Sequence, residues 1–256
     1  MATPCTAMSL VRQPLHRRGG LSVSLASTDA EVEQCLRLRY RVFADEMGAS
    51  LRSTRLGVDQ DRFDNYCKHL MVRDIEGGEV IGTTRLLLGR DAARLGMFYS
   101  ETEFALERIL ALPGQFMEVG RTCIHADYRR GAALAMLWNG VAQVTVLDNV
   151  DYLIGCASIP LNKGDSYVVS ILDYLRANHW APESLRVTPL IGLNTRDAVA
   201  SRNVLLPPLL KGYLRLGAVV CGEPYWDAAF NVADAFILVD RDQLARRYVR
   251  HFVNRV

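Results

Sequence analysis

Apolar and polar positions alternate from Leu21 to Ala26 as they do in a half-buried strand, and Ser27, Thr28 and Asp29 follow with oxygens suited to capping a helix. The helix runs to about Glu46, with Val32, Leu36, Phe43 and Met47 as its apolar stripe. Residues 48–66 keep neither period and read as a long loop. Lys68 to Asp74 and Glu79 to Leu88 are two strands around a Glu76-Gly77-Gly78 turn. Phe98 to Leu110 reads as a loop and short helix, closed by Pro113-Gly114. Phe116 to Leu137 then gives a strand, a tight basic loop and a helix with Leu134, Leu137, Trp138 and Val141 on one face.

Beyond it, Tyr152 to Ala157 suits a buried strand and Tyr167 to Leu175 an amphipathic helix. Leu205 to Asp240 holds a short helix after Pro207-Pro208, ending at Leu216, and strands near Ala218 to Cys221 and Ala235 to Val239. The last segment puts Leu244, Tyr248 and Phe252 on one side of a helix and Arg246, Arg247, Arg250 and Arg255 on others. A solvated face or contact with anionic lipid or an acidic carrier protein are its two readings. Residues 1–20 show no periodicity and read as a loose leader before one domain spanning 21–256, with 205–256 as a C-terminal extension.

With 256 residues, half of them hydrophobic, the chain can bury one substantial core. A net charge of +2 gives no global field for nucleic acid. Six cysteines without a CxxC pair or metal spacing point to reduced thiols and a cytoplasmic setting. No metal site is expected, and no apolar run reaches the roughly 18 residues that span a bilayer.

The candidate chemistry lies where charges interrupt apolar faces. Arg39 falls in the gap of the first helix's stripe, and Arg85 shares a strand face with Ile81, Thr83 and Leu87. A buried arginine needs a partner, and Asp59, Asp61 and Asp64 around Phe63 supply carboxylates within the loop. Snorkelling of Arg39 and solvation of Arg85 are the alternatives. Arg129, Arg130 and Gly131 sit where a helix begins: either backbone N–H groups and the helix dipole face one anion there, with phosphate the natural guest, or this is an ordinary strand-to-helix connection with two solvated arginines.

This strand, basic loop and helix resemble the signature of the GNAT superfamily of acyltransferases. The resemblance implies an α+β fold, with helices around a mixed, mostly antiparallel central sheet. It also implies that the thioester lies along Thr122, Cys123 and Ile124, with the donor's phosphate near Arg129, Arg130, Gly131, Ala132 and Ala133. Tyr128 stands where that family usually has Arg or Gln, which suits a carrier with one phosphate better than CoA.

Within the superfamily, residues 36–125 are similar to acyl-homoserine lactone synthases through Arg39, Phe43, Asp61, Asp64, Arg85, Phe98, Glu118 and Arg121. Those synthases carry a Trp where this chain has Glu46-Met47-Gly48-Ala49. Over residues 22–252 the chain resembles ornithine N-acyltransferases, the likeness being carried by Leu206 to Gly217 and Cys221-Gly222-Glu223-Pro224. That resemblance implies a 3-hydroxyacyl group moved from acyl carrier protein to the α-amine of L-ornithine. The donor's phosphopantetheine arm then serves in place of any permanently bound cofactor, the product is lyso-ornithine lipid, and peripheral contact with the inner face of an anionic membrane is one reading of the basic last segment. Glu118 is the implied base, while Arg39, Phe43, Asp61, Asp64, Arg85 and Arg121 hold the amino acid. Strict alternation puts Glu118 and Arg121 on opposite faces, so a bulge near Gly120 is expected. Lactone synthesis from S-adenosylmethionine and a noncatalytic carrier- or membrane-binding module are the competing functions.

Overall fold

The computed structural model describes residues 14–51, 53, 55–129, 132–194, 198–200 and 205–242. In chain order the first strands are β1 (His16–Arg18), β2 (Leu21–Leu25), β3 (Lys68–Asp74), β4 (Val80–Leu88), β5 (Phe104–Ala105) and β6 (Phe116–Ile124). They are followed by β7 (Tyr152–Pro160), β8 (Thr188–Pro189), β9 (Val219–Val220), β10 (Tyr225–Asp227) and β11 (Val232–Asp240). The helices are α1 (Asp29–Tyr40), α2 (Gly89–Leu95), α3 (Glu107–Leu110), α4 (Ala133–Leu147), α5 (Asp165–Asn178) and α6 (Pro208–Leu216). The chain forms two compact units, Met1–Leu87 with Val119–Asn149, and Leu88–Glu118 with Val150–Val256.

In the first unit β1, β2, β3 and β4 pair antiparallel in sequence order, and the 119–124 part of β6 follows β4. β1 comes from the segment read as a leader: Gly19 and Gly20, both at positive φ, turn the chain so that His16 faces Val23. α4 packs on β2 and β3, and its buried residues are Ala133, Met136, Leu137, Gly140, Val141, Val144 and Thr145; of the face read from the sequence, Leu137 and Val141 are buried, whereas Leu134 and Trp138 lie at its margin, half-buried. At Gly140 an added Cβ would come within 2.8 Å of Leu70 and Val23, so the glycine sets how closely helix and sheet approach.

α1 starts at Thr28, whose side chain accepts from the Glu31 amide, while Glu31 reaches back to the Ser27 amide at 2.8 Å. This reciprocal cap is what the Ser-Thr-Asp run suggests. After Tyr40 the helix widens into a π-type turn over Arg41–Glu46, which changes the angular spacing of the following residues. Leu36 and Phe43 are buried as expected, but Met47 is left 49% exposed, and Cys35, Leu38 and Val42 complete the buried face.

In the second unit the 116–118 part of β6 pairs parallel with β7, and β7, β11 and β10 continue antiparallel, with β9 also on β11. α6 lies against β7 and β11. The pairing is thus mixed and mostly antiparallel with accompanying helices, the α+β arrangement implied by the resemblance. In the Phe98 to Leu110 stretch the short helix is α3, and the part before it holds a 3-10 turn (Tyr99–Thr102) and β5, which the sequence reading did not resolve. Its backbone is held by a side chain 18 residues downstream, Glu118, rather than by its own periodicity. α2 had no expectation from the pattern. The segment with Leu244, Tyr248 and Phe252, read from the sequence as a helix, lies outside the described residues, and among those residues no helix is long and apolar enough to cross a membrane.

Candidate active site

Arg39 is fully buried, which excludes the snorkelling alternative. Its Nε donates to Asp59 Oδ2 at 2.8 Å and its Nη1 to Asp64 Oδ1 at 2.6 Å. Arg85, also buried, donates through Nη1 to Asp61 Oδ1 at 2.7 Å and to Asp64 Oδ1 at 3.2 Å. Its guanidinium lies 5.5 Å from the centroid of the Phe63 ring. Arg121 completes the set, 3.4 Å from Asp59 and 3.7 Å from Asp61. Charges that would each be costly to bury therefore alternate in sign, and the guanidinium forks match the carboxylates. The loop is tied to α1 by the Asp59 amide, which donates to the Leu36 carbonyl at 3.1 Å.

Burial opposes ionisation of Asp64, but Arg39 and Arg85 beside it outweigh that and hold its carboxyl below the usual carboxylate range. For Arg85, burial is likewise outweighed by Asp61 and Asp64, and its charge is fixed. His69, with Nε2 at 3.2 Å from the Asp64 carbonyl, is pushed down by burial against the pull of Asp64. The carboxylates differ in what they have left. Asp64 takes Arg39, Arg85 and the Asp61 amide, whereas Asp61 Oδ2 is buried and accepts no hydrogen bond from the described residues.

Arg121 adopts φ 51°, a left-handed backbone inside a strand. The extended run is thus interrupted beside Gly120, as expected for side chains that break two-residue alternation, with the unusual backbone one residue further on. Thr84 secures the interruption, donating through Oγ1 to the Gly120 carbonyl at 3.0 Å and lying 2.7 Å from Thr122 Oγ1. Phe43 is buried.

In the second unit Glu118 is 4% exposed. Oε2 accepts from the Tyr99 amide at 2.7 Å, and Oε1 accepts from the Ser100 amide at 2.8 Å and from the Ser100 hydroxyl. Glu118 therefore anchors the turn that follows Phe98 as well as standing on β6. Ser100 Oγ lies 3.5 Å from Cys156 Sγ, which donates to Glu103 Oε2 at 3.1 Å. Carboxylate oxygens of Glu103, Asp227 and Asp234, all buried, lie within 4.8 Å of one another.

The residues implied for the donor are in the first unit. Cys123 is buried, and burial pushes its thiol well up, so it is held as an inert thiol. Arg129 donates through Nε to the Ile124 carbonyl at 3.1 Å and pairs with Glu46 through Nη2. Ala132 caps α4 and Ala133 is its buried first residue. Arg130 and Gly131 lie outside the described residues. Tyr128 points its hydroxyl at Asp74 Oδ2, 2.7 Å away.

Asp59, absent from the residues implied by the resemblance, joins the site through Arg39 and Arg121, and the triplet of acids is its signal in the sequence. Ser100, Cys156 and Glu103 had none, since nothing in their spacing connects positions so far apart.

Residues 38–139 match the acetyltransferase (GNAT) domain. Two solved structures share the fold at a TM-score of 0.52: a CoA-dependent acyl-homoserine lactone synthase, 17% identical over 87% of this chain and 82% of that one, and an N-acyl amino acid synthase from uncultured soil microbes, 10% identical over 89% and 94%. The matched region and the fold are of the GNAT type. An L-ornithine N(alpha)-acyltransferase of Agrobacterium fabrum is 35% identical over 92% of this chain and 86% of its own length. One of Rhodobacter capsulatus is 32% identical over 91% and 95%. The chain belongs to the L-ornithine N(alpha)-acyltransferase family.

Proposed function

We propose that this protein moves a 3-hydroxyacyl group from acyl carrier protein to the α-amine of L-ornithine. The relatives' names support ornithine as acceptor. The structural observation that carries the reading is Asp61 Oδ2, a buried carboxylate oxygen that accepts no hydrogen bond from the described residues and has Arg121 Nη2 3.7 Å away as its ion-pair partner, in a network of three arginines. A buried acceptor of that kind suits an ammonium, and a guanidinium such as Arg121 suits a carboxylate, so a zwitterionic amino acid with a second ammonium fits the set. Asp64 contributes by fixing Arg39 and Arg85 rather than by a free lone pair.

The α-amine must lose a proton before it attacks, and Glu118, directly or through water, is the base. The neutral amine adds to the thioester carbonyl, backbone donors along Thr122 to Ile124 stabilise the oxyanion, and the carrier's thiol leaves. Arg129 and the start of α4, with Arg130, Gly131, Ala132 and Ala133, receive the phosphate of the phosphopantetheine arm. Breaking the Arg129–Glu46 pair to do so costs little, since both side chains are partly exposed. With an amphiphilic product, the enzyme works in the cytoplasm at or near the inner membrane surface.

The test mixes purified protein with 3-hydroxyacyl carrier protein, or the matching acyl-CoA, and a panel of amino acids, following free thiol and product mass together. A product of ornithine plus the acyl group, formed faster from the carrier, supports both assignments. Faster turnover with CoA overturns the donor. A homoserine lactone formed from S-adenosylmethionine, or carrier binding without thiol release, overturns the acceptor chemistry.

A further inference from the structure

We propose that Ser100 and Cys156 form a proton relay that carries the proton taken up by Glu118 to Glu103. The proposal rests on Glu118 being the base. All four residues belong to the second unit, and Glu118, Ser100 and Glu103 are each at most 4% exposed.

A carboxylate that accepts from two backbone amides and a hydroxyl has a difficulty as a base, because each donor favours its ionised form. Two of the donors on Glu118 are the backbone amides of Tyr99 and Ser100, which can only donate. Another is the Ser100 hydroxyl. A hydroxyl can turn from donor to acceptor, so Ser100 can reverse its hydrogen bond when Glu118 becomes protonated, which the two amides cannot. Its own proton then has a destination, since Cys156 Sγ is 3.5 Å from Oγ. The thiol already directs its proton at Glu103 Oε2, 3.1 Å away. Burial first, and then the charges of Glu103 and Asp234, push the Cys156 thiol well up, so it holds a proton to pass on rather than becoming a thiolate. Glu103 lies among the carboxylates of Asp227 and Asp234, and a proton arriving there relieves repulsion within the trio.

The step balances. The ammonium's first proton moves to Glu118. As that proton passes to Ser100 Oγ, the serine's passes to Cys156 Sγ and the cysteine's to Glu103, so hydroxyl and thiol each keep one proton and Glu103 gains one. The N–C bond forms, the C–S bond breaks, and the reverse shift returns the stored proton to the departing thiolate. The amine's second proton leaves to solvent as the amide forms.

Three variants test this: Ser100→Ala, Cys156→Ala and Cys156→Ser, each checked for native melting behaviour and assayed for kcat and KM in H2O and D2O mixtures. Ser100→Ala keeps both amide anchors on Glu118 and should lower kcat about 100-fold, the lower end of general-base effects, with little change in KM. Cys156→Ala should lower kcat about tenfold, and Cys156→Ser should restore it, because a hydroxyl can relay and a methyl cannot. The curved dependence of wild-type kcat on deuterium fraction should become linear in Cys156→Ala. A folded Ser100→Ala enzyme with wild-type kcat overturns the relay, as does a Cys156→Ser enzyme no better than Cys156→Ala. If wild type acylates another amine and not ornithine, the acceptor assignment fails and the relay is judged on that amine. Wild type that acylates no amine overturns both.

Discussion

Arg39 and Asp64 meet at 2.6 Å with both side chains withdrawn from solvent, although they are 25 residues apart and lie on a helix and at the end of a loop. Removing one member of such a pair leaves the other buried without its charge partner. Arg39→Ala should therefore cost about 3–5 kcal/mol in denaturant unfolding. Arg39→Lys should recover only part of that, since an ammonium cannot span Asp59 and Asp64 as the guanidinium fork does. Equal stability of Arg39→Ala and wild type would mean the network contributes nothing to folding.

The same network predicts an acid limb. Asp64 is depressed in the folded state below the free value of 3.8, so its contribution is complete above that pH and lost as pH falls through the lower folded value. His69 is depressed below 6.5 by burial, so the unfolded chain binds its proton first and stability begins to fall as pH drops past about 6.5. Melting temperature against pH should show a shallow decline from there and a steeper one below 3.8. Asp64→Asn should be less stable at neutral pH and lack the steeper limb. A wild-type profile flat from pH 7 to 3 would contradict both assignments.

Arg39 and Arg85 were legible in the sequence because a charge on an apolar face can be recognised one residue at a time, and the nearby acids gave the natural partners. The hairpin of β3 and β4, the strand, loop and helix from β6 to α4, and the long β7 and β11 likewise announce themselves by period. What period could not show is set by distant parts of the chain. The turn at Tyr99 and Ser100 has its amides satisfied by Glu118, and the trio of Glu103, Asp227 and Asp234 joins a residue just before β5 to one on β10 and one on β11. The π-type turn after Tyr40 leaves no mark in propensity, and it displaces Met47 from the stripe.

Arg121 carries a backbone cost as well as a charge. A non-glycine residue at φ 51° costs about 1–3 kcal/mol, which a fold retains when the side chain has a task. Arg121→Gly should remove that strain and lose the approaches to Asp59 and Asp61. Its melting temperature should stay near wild type while KM for the amino-acid acceptor rises at least about tenfold, as for the loss of one charge-assisted hydrogen bond. Unchanged acceptor KM would leave Arg121 a purely structural part of the network.

Cys221-Gly222-Glu223-Pro224, one of the stretches that suggested the family, has a physical reason at its glycine. Gly222 stands at φ 144°, and an added Cβ would lie 2.5 Å from the Val187 carbonyl oxygen. That carbonyl cannot retreat freely, because the Val187 amide is pinned to the Cys221 carbonyl at 2.6 Å. Backbone strain and overpacking act together, so Gly222→Ala should destabilise by at least about 2 kcal/mol. Gly192 is the control: its backbone pairs with Tyr225, and an added Cβ would meet nothing within 4 Å. Gly192→Ala should leave the unfolding midpoint within experimental error of wild type. Equal midpoints for Gly222→Ala and Gly192→Ala would show that the 187 and 222 segments yield, and that the close approach does not constrain the fold.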